Sequence, residues 1–102
     1  MQYLIQNHYT LVERNYRTRR GEIDLIVRKH DTIVFLEVKL RRSTGFGDPV
    51  EAVTHHKQRT IRSVAEHYLY TREPHFDTLR FDVIGILADR PEVRIHHIED
   101  AF

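Results

Sequence analysis

The sequence predicts an α/β (α+β) fold in which a mixed central β-sheet of about five strands is flanked by helices. Stretches rich in valine, isoleucine, leucine and phenylalanine recur along the 102 residues and are separated by polar turns. One long segment in the second half repeats its apolar residues at helical spacing. That segment is long enough to cross over a sheet and return the next strand parallel to an earlier one. The length favours a single domain over residues 1–102.

The start of the chain is predicted to form a short helix followed by a strand. Residues 1–8 are interpreted as a short helix, or as the end of one, because no N-cap residue precedes their apolar side chains. A strand is predicted for residues 10–16. The basic segment 17–21 that follows ends in a glycine, which is typical of a loop.

The next two apolar stretches are predicted to form a β-hairpin. Residues 22–29 and 32–40 are rich in β-branched side chains and flank the dipeptide His30-Asp31. If that dipeptide is a two-residue turn, Lys29 faces Thr32 and the same register continues along both strands. The register can therefore be used to predict which side chains meet further from the turn.

The hairpin register places two carboxylates directly opposite each other, Asp24 on one strand and Glu37 on the other, and it places Glu22 opposite Lys39. Like charges at such positions repel, and a divalent cation between them removes the repulsion. Lys39 shares their face, where an ammonium would orient a water or stabilise a developing phosphate charge. The alternative is an ordinary solvated Glu-x-Lys face, which is common on strands. Aspartate is depleted in strands, however, so the residues alone leave the functional and the solvated interpretation about equally supported.

The second half of the chain is predicted to begin with a loop and a long helix. Residues 41–48 are interpreted as a loop, and Asp48-Pro49 followed by Glu51 is typical of a helix start. Thr54 is a candidate cap for a longer helical segment that ends near residue 71. The apolar stripe predicted for this helix consists of Ile61, Val64, Ala65, Tyr68 and Leu69.

Two further strands are predicted at residues 78–87 and 92–98. Asp82, within the first of them, is interpreted as part of a structural salt bridge with a nearby arginine. Tyr68 and Tyr70 are interpreted as packing residues of the core and its rim, and Phe102 is expected to pack against the core.

Composition excludes several classes of function. The absence of cysteine rules out a disulfide scaffold, thiolate zinc sites and cysteine catalysis. A net charge of +1 does not by itself require a nucleic-acid partner. Since no apolar run could span a bilayer and the first residues do not resemble a signal peptide, we expect a cytoplasmic protein without a membrane partner.

A set of short motifs resembles a known family. Gly21-Glu22-Ile23-Asp24-Leu25-Ile26, followed by Glu37-Val38-Lys39, resembles the PD-(D/E)xK motif of the restriction-endonuclease-like superfamily, with Ile23 at the position of the motif's proline. The resemblance covers nearly the whole chain and is to the UPF0102 (YraN-like) family of predicted bacterial endonucleases. It continues through Arg41-Arg42, Phe46-Gly47-Asp48-Pro49, Glu51-Ala52-Val53, Lys57-Gln58, Arg80-Phe81-Asp82-Val83 and Ile98-Glu99-Asp100-Ala101-Phe102.

This resemblance implies a restriction-endonuclease-like core and a Mg²⁺- or Mn²⁺-dependent endonuclease. Its substrate would be a nucleic acid, with DNA favoured, and its role would lie in DNA repair or recombination. Asp24 and Glu37 would be metal ligands together with the backbone carbonyl of Val38, and Lys39 would be the catalytic lysine. Cleavage in this superfamily typically leaves a 5′-phosphate.

The resemblance also implies a third carboxylate. Relatives usually carry a glutamate on a longer first helix, and this sequence begins after that point. Glu22 and Glu51 are the candidate substitutes within the chain, and a partner chain is another source. The alternative function is therefore a catalytically inactive nucleic-acid-binding module of nuclease fold.

Basic residues supply the expected partner surface. The candidate nucleic-acid-binding residues are Arg19, Arg20, Arg41, Arg42, Lys57 and Gln58. Together with further basic residues they are expected to form a phosphate-binding rim. These further residues are Arg14, Arg17, His55, His56, Arg59 and Arg62. An enzyme of this size that cuts both strands of a duplex would most simply be a homodimer.

Overall fold

The order of helices and strands agrees with the prediction. A computed structural model describes residues 1–41, 53–89 and 92–102. Its elements are α1 (Gln2–Gln6), β1 (Thr10–Thr18), β2 (Gly21–Lys29), β3 (Thr32–Arg41), α2 (His55–Arg72), β4 (Thr78–Asp89) and β5 (Glu92–Ile98). Residues 42–48 of the predicted loop, the helix start at Asp48-Pro49, and the candidate residues Arg42 and Glu51 lie outside the described residues.

The five strands form one mixed sheet in the order β1-β2-β3-β4-β5. Neighbouring strands are antiparallel except β3 and β4, which are parallel, with Thr32 beside Thr78 and Arg41 beside Leu87. The chain between them contains α2, so the predicted crossover is confirmed.

The β2–β3 hairpin has the predicted register near its turn but departs from it further along. Lys29 pairs with Thr32, and the ladder continues to Leu25 opposite Leu36. The backbone ladder ends there and does not include the expected pairings of Asp24 with Glu37 and of Glu22 with Lys39, although the side chains of Asp24 and Glu37 still meet. Beyond the last pair, the Asp24 side chain accepts a hydrogen bond from the Val38 amide at 2.8 Å, in competition with backbone pairing.

Helix α2 covers one face of the sheet. It begins after Thr54, whose hydroxyl accepts a hydrogen bond from the Lys57 amide at 3.1 Å, as predicted for a capping residue. The predicted stripe is confirmed, since Ile61, Val64, Ala65 and Tyr68 are buried and Leu69 packs at its edge. This face of the sheet also holds Phe81, on which Phe102 packs as expected.

The opposite face of the sheet is partly covered by α1. Leu4 of that short helix is buried with Val27, Val34, Leu36 and Ile84. In the described parts of the chain, no helix is both long and apolar enough to cross a membrane.

The turn between β1 and β2 lies directly against α2. A β-carbon at Gly21 would stand 2.5 Å from the Thr60 methyl group, a distance that real structures do not tolerate. Glycine therefore permits the close approach of the basic turn to the helix.

Candidate active site

Four charged side chains from three elements meet where β2 and β3 separate. Asp24 comes from β2, Glu37 and Lys39 come from β3, and Lys57 comes from the first turn of α2. The Lys57 ammonium lies 3.5 Å from Glu37 Oε2, and only 6% of the Glu37 surface is exposed. The structure thus brings together the three predicted catalytic residues and adds a second lysine.

Glu37 is held in an environment that disfavours its charge. Burial, a hydrogen bond with Asp24 and the charge of Asp24 together raise the pKa of Glu37 to about 7. The ammonium groups of Lys57 and Lys39 act in the opposite direction but do not cancel the effect. Glu37 is therefore a carboxylate that would gain from a further cation.

The two lysines respond differently to their shared surroundings. Burial and the neighbouring Lys57 hold the pKa of Lys39 below its usual value, although the two carboxylates oppose this. Burial also acts to lower the pKa of Lys57, but its contacts with Lys39 and Glu37 outweigh burial and leave that pKa raised. Lys39 is consequently the lysine that gives up its proton more readily.

The oxygen donors of this cluster are of the type that magnesium accepts. Asp24 and Glu37 supply carboxylate oxygens, and Val38, the third predicted ligand, lies next to Glu37 on β3. Magnesium in nucleotide-processing enzymes is commonly held by one or two carboxylates, with waters and substrate phosphate completing the shell. No cluster of three or more potential ligands occurs among the residues that the structure describes. The two carboxylates fit the ion on condition that the substrate contributes oxygens.

The candidate third carboxylates do not join this cluster within the described chain. Glu22 was expected to pair with Lys39, but its carboxylate bonds Arg17 at 3.0 Å. Glu22 lies where β2 has separated from β3 but remains paired with β1, opposite Arg17. Glu51 lies outside the described residues.

The predicted nucleic-acid-binding residues occupy separate places. Arg19 and Arg20 lie in the β1–β2 turn, where Arg20 donates a hydrogen bond to the Ser63 hydroxyl of α2 at 2.8 Å. Arg41 ends β3. The Gln58 side-chain amide donates to the Val53 carbonyl and so holds the start of α2.

Lys57 is the functional residue whose role the sequence reasoning missed. It was predicted to bind nucleic acid, and the structure instead directs it into the carboxylate cluster. A signal was present, since Lys57, Ile61, Val64 and Tyr68 are spaced as one helical face. A lysine on the buried face of a helix points towards the sheet rather than towards solvent.

Two aromatic predictions have different outcomes. Tyr68 is buried in the core as expected. Tyr70 was expected to pack at the rim of the core, but 87% of its surface is exposed. It lies beside the arginine-rich turn, on the outer face of α2.

A second buried carboxylate lies on the other face of the sheet. Asp82 is fully buried and bonds Arg80 at 2.7 Å, His97 Nε2 at 2.7 Å and the Asp100 amide at 2.9 Å. Burial acts to raise its pKa, but these bonds outweigh burial and hold the pKa below its usual value. The predicted structural salt bridge is confirmed, and His97 is a partner that the sequence reasoning missed.

Comparison with known proteins finds relatives along almost the whole chain. A family model described as "Uncharacterised protein family UPF0102" matches residues 1–86. A UPF0102 protein of Rhodococcus opacus is 45% identical over 101 residues, which cover 98% of this chain and 86% of the relative. A UPF0102 protein of Syntrophomonas wolfei is 46% identical over 101 residues, covering 99% and 88%. A third, from Alkaliphilus oremlandii, is 48% identical over 102 residues, covering 98% and 87%.

Proposed function

The chain belongs to the uncharacterised protein family UPF0102, and from the geometry of its charged cluster we propose that it is a Mg²⁺- or Mn²⁺-dependent endonuclease. The observation that carries the proposal is the convergence of Asp24 and buried Glu37 with two lysine ammonium groups. The resemblance to PD-(D/E)xK nucleases supports DNA as the substrate, in repair or recombination.

The metal would be held by the carboxylates of Asp24 and Glu37. When bound, it supplies Lewis-acid stabilisation of phosphoryl oxygens and a more acidic water. The Val38 amide fixes Asp24, because it donates a hydrogen bond to one of its carboxylate oxygens. Burial of Glu37 keeps competing water away from its carboxylate.

Lys39 is the group that would exchange a proton with the attacking water. Burial and the neighbouring Lys57 lower the pKa of Lys39, and this is the direction that favours proton exchange with the attacking water. In the hydrolysis, a water oxygen bonds to phosphorus as the bond to the 3′ oxygen breaks. The proton lost by the water ends on that leaving oxygen, and the product carries a 5′-phosphate.

A second candidate function is a nucleic-acid-binding module that has lost catalysis. The observation that favours it is Lys57, whose ammonium already lies against Glu37 and supplies a positive charge there without a metal. In such a module the lysine would replace the ion as a structural counter-charge.

Cleavage of labelled DNA with and without Mg²⁺ or Mn²⁺ tests the proposal. We expect wild type to cut at least one of single-stranded, duplex or four-way-junction DNA. Asp24→Ala, Glu37→Ala and Lys39→Ala should each lower the rate by about 10²-fold or more, since each removes a group that acts on the reacting phosphate. Calorimetric titration with Mg²⁺ provides a separate readout, because the first two variants should also lose metal binding.

Matched controls are available elsewhere on the same hairpin. Asp31→Asn and Lys29→Ala change a carboxylate and a lysine near the hairpin turn, at the far end of the strands from the cluster. Both should cut as wild type does. If wild type binds DNA but cuts none of the substrates with either metal, the binding module is the correct function. If the three site variants cut at the wild-type rate, the cluster is not the active site.

A further inference from the structure

A basic groove runs between the β1–β2 turn and the outer face of α2. One hollow of about 750 Å³ is lined by the turn, including Arg17, Arg19 and Arg20, and by Ser63 and Tyr70 of the helix. A second hollow of about 340 Å³ continues from it along α2. The two hollows share Arg20 and Ser63, so they form one continuous groove.

The groove carries an excess of positive charge that the protein leaves available. Arg19 lines the first hollow, Arg59 lines the second, and both are exposed. Neither of them forms an ion pair with any residue in the described ranges. Glu66 is the acidic residue of the groove, and the arginines outnumber it. This charge balance favours an anionic ligand.

Tyr70 supplies a flat apolar surface beside these charges. Its ring is 87% exposed at the end of the groove. Aromatic rings next to arginines are the usual platforms on which unpaired bases stack. In a duplex the faces of each base are already covered by its neighbours, so this ring is available only to an unpaired base.

The groove leads towards the charged cluster. Its helical side is one stripe of α2 that includes His56, Thr60, Ser63, His67 and Tyr70. The fourteen helical steps from His56 to Tyr70 rise by about 21 Å, or about six nucleotides at stacked spacing. Lys57, which contacts Glu37, is the next residue after His56.

We propose that this groove binds a single-stranded segment of the nucleic acid, with an unpaired base stacked on Tyr70 and phosphates on the arginines of the turn. The inference rests on the proposed nuclease function, since the groove then delivers its strand to the cluster of Asp24, Glu37 and Lys39. The preferred substrate is accordingly DNA or RNA with an unpaired segment next to the cleaved bond.

Fluorescence anisotropy in EDTA tests the groove without requiring cleavage. The probes are a labelled 12-nucleotide single strand, the duplex of the same sequence and a labelled polyglutamate peptide. We expect the single strand to bind most tightly, and Tyr70→Ala to weaken its binding about 5- to 100-fold. Tyr70→Phe should bind as wild type does. Arg19→Ala should lower the slope of log affinity against log salt by about 0.7.

Two control variants separate the groove from general effects. Phe76→Ala removes another exposed aromatic ring, and Arg94→Ala removes an exposed arginine of β5 that lines neither hollow. Neither should change single-strand binding. Equal loss in Tyr70→Ala and Phe76→Ala, tighter binding of the duplex, or equal binding of polyglutamate would each overturn the proposal. Since no metal is present, a failure here leaves the cleavage result of the nuclease test unaffected.

Discussion

Glu37 and Asp82 are buried carboxylates on adjacent strands, and their surroundings are opposite. Asp82 pairs with Leu36 in the β3–β4 register, so Asp82 and Glu37 point to different faces of the sheet. Asp82 receives bonds from Arg80, His97 and a backbone amide. Glu37 has another carboxyl group beside it and a lysine 3.5 Å away. These surroundings lower the pKa of Asp82 and raise the pKa of Glu37.

This difference separates a structural charge from a chemically available one. A buried carboxylate whose partners are all supplied by the protein stabilises the fold and has little capacity for another ligand. A buried carboxylate next to a like charge stores unfavourable energy that a cation or a proton would release. Burial alone would have ranked Asp82 as the more functional residue, and its partners reverse that ranking.

The largest expected effect is that isosteric substitutions of the two carboxylates change the free energy of unfolding in opposite directions. Asp82→Asn should lower the free energy of unfolding by about 3–5 kcal/mol, because Arg80 loses its buried counter-charge. Glu37→Gln should raise it by about 1–3 kcal/mol at pH 8, because a disfavoured buried charge is removed. Urea denaturation followed by circular dichroism measures both. Asp31→Asn, in the exposed hairpin turn, should change it by less than about 0.5 kcal/mol. Similar losses in both buried-site variants would show that the two carboxylates are equivalent.

The second expected effect is an opposite dependence of stability on pH. The pKa of Glu37 is raised from 4.5 to about 7 on folding, so its contribution is full below pH 4.5 and is lost as pH rises to 7. The loss is of the order of 3 kcal/mol. The pKa of Asp82 is lowered from 3.8, so its contribution is present above that pH and is lost as pH falls further.

Urea denaturation at a series of pH values between 3 and 8 resolves the two contributions. The decline in wild-type stability between pH 5 and pH 8 should be smaller in Glu37→Gln, whereas the decline below pH 4 should remain. If Glu37→Gln keeps the whole wild-type slope above pH 5, Glu37 does not titrate as its surroundings require.

The smallest expected effect concerns Lys57. Its charge lowers the pKa of Glu37, so Lys57→Gln should raise that pKa further. The stability change should stay below about 1 kcal/mol, because the side chain of Lys57 is 39% exposed and its ion pair is screened by solvent. Carbon-13 NMR titration of the Glu37 carboxyl measures the shift. Lys29→Gln is the matched control, since Lys29 lies over the ring of Tyr9. An unchanged Glu37 pKa in Lys57→Gln would mean that the pair does not form in solution.

Local patterns in the sequence were sufficient to predict the strands, the helix α2 and the hairpin turn. The register next to His30-Asp31 follows from a two-residue turn, and the stripe of α2 follows from its helical spacing. The end of the ladder could not be predicted in this way. Whether an aspartate continues a strand or captures the Val38 amide depends on a competition between side chain and backbone that periodicity does not report.

The composition of the site depended on contacts that are distant in sequence. Asp24, Glu37 and Lys39 were predicted because one hairpin brings them together. Lys57 reaches Glu37 only because α2 packs over the sheet. His97 meets Asp82 only because β5 pairs beside β4. Pairings of this kind follow from the assembled sheet and have no signature in a short segment of sequence.

The crossover between β3 and β4 has a consequence for how the molecule folds. Hairpins close within microseconds, whereas a parallel pair must first close the long loop that contains α2. We therefore expect Asp24 and Glu37 to meet early on the folding pathway and Lys57 to reach them late. During that interval the carboxylates lack their lysine partner, and a divalent cation bound between them would stabilise the hairpin.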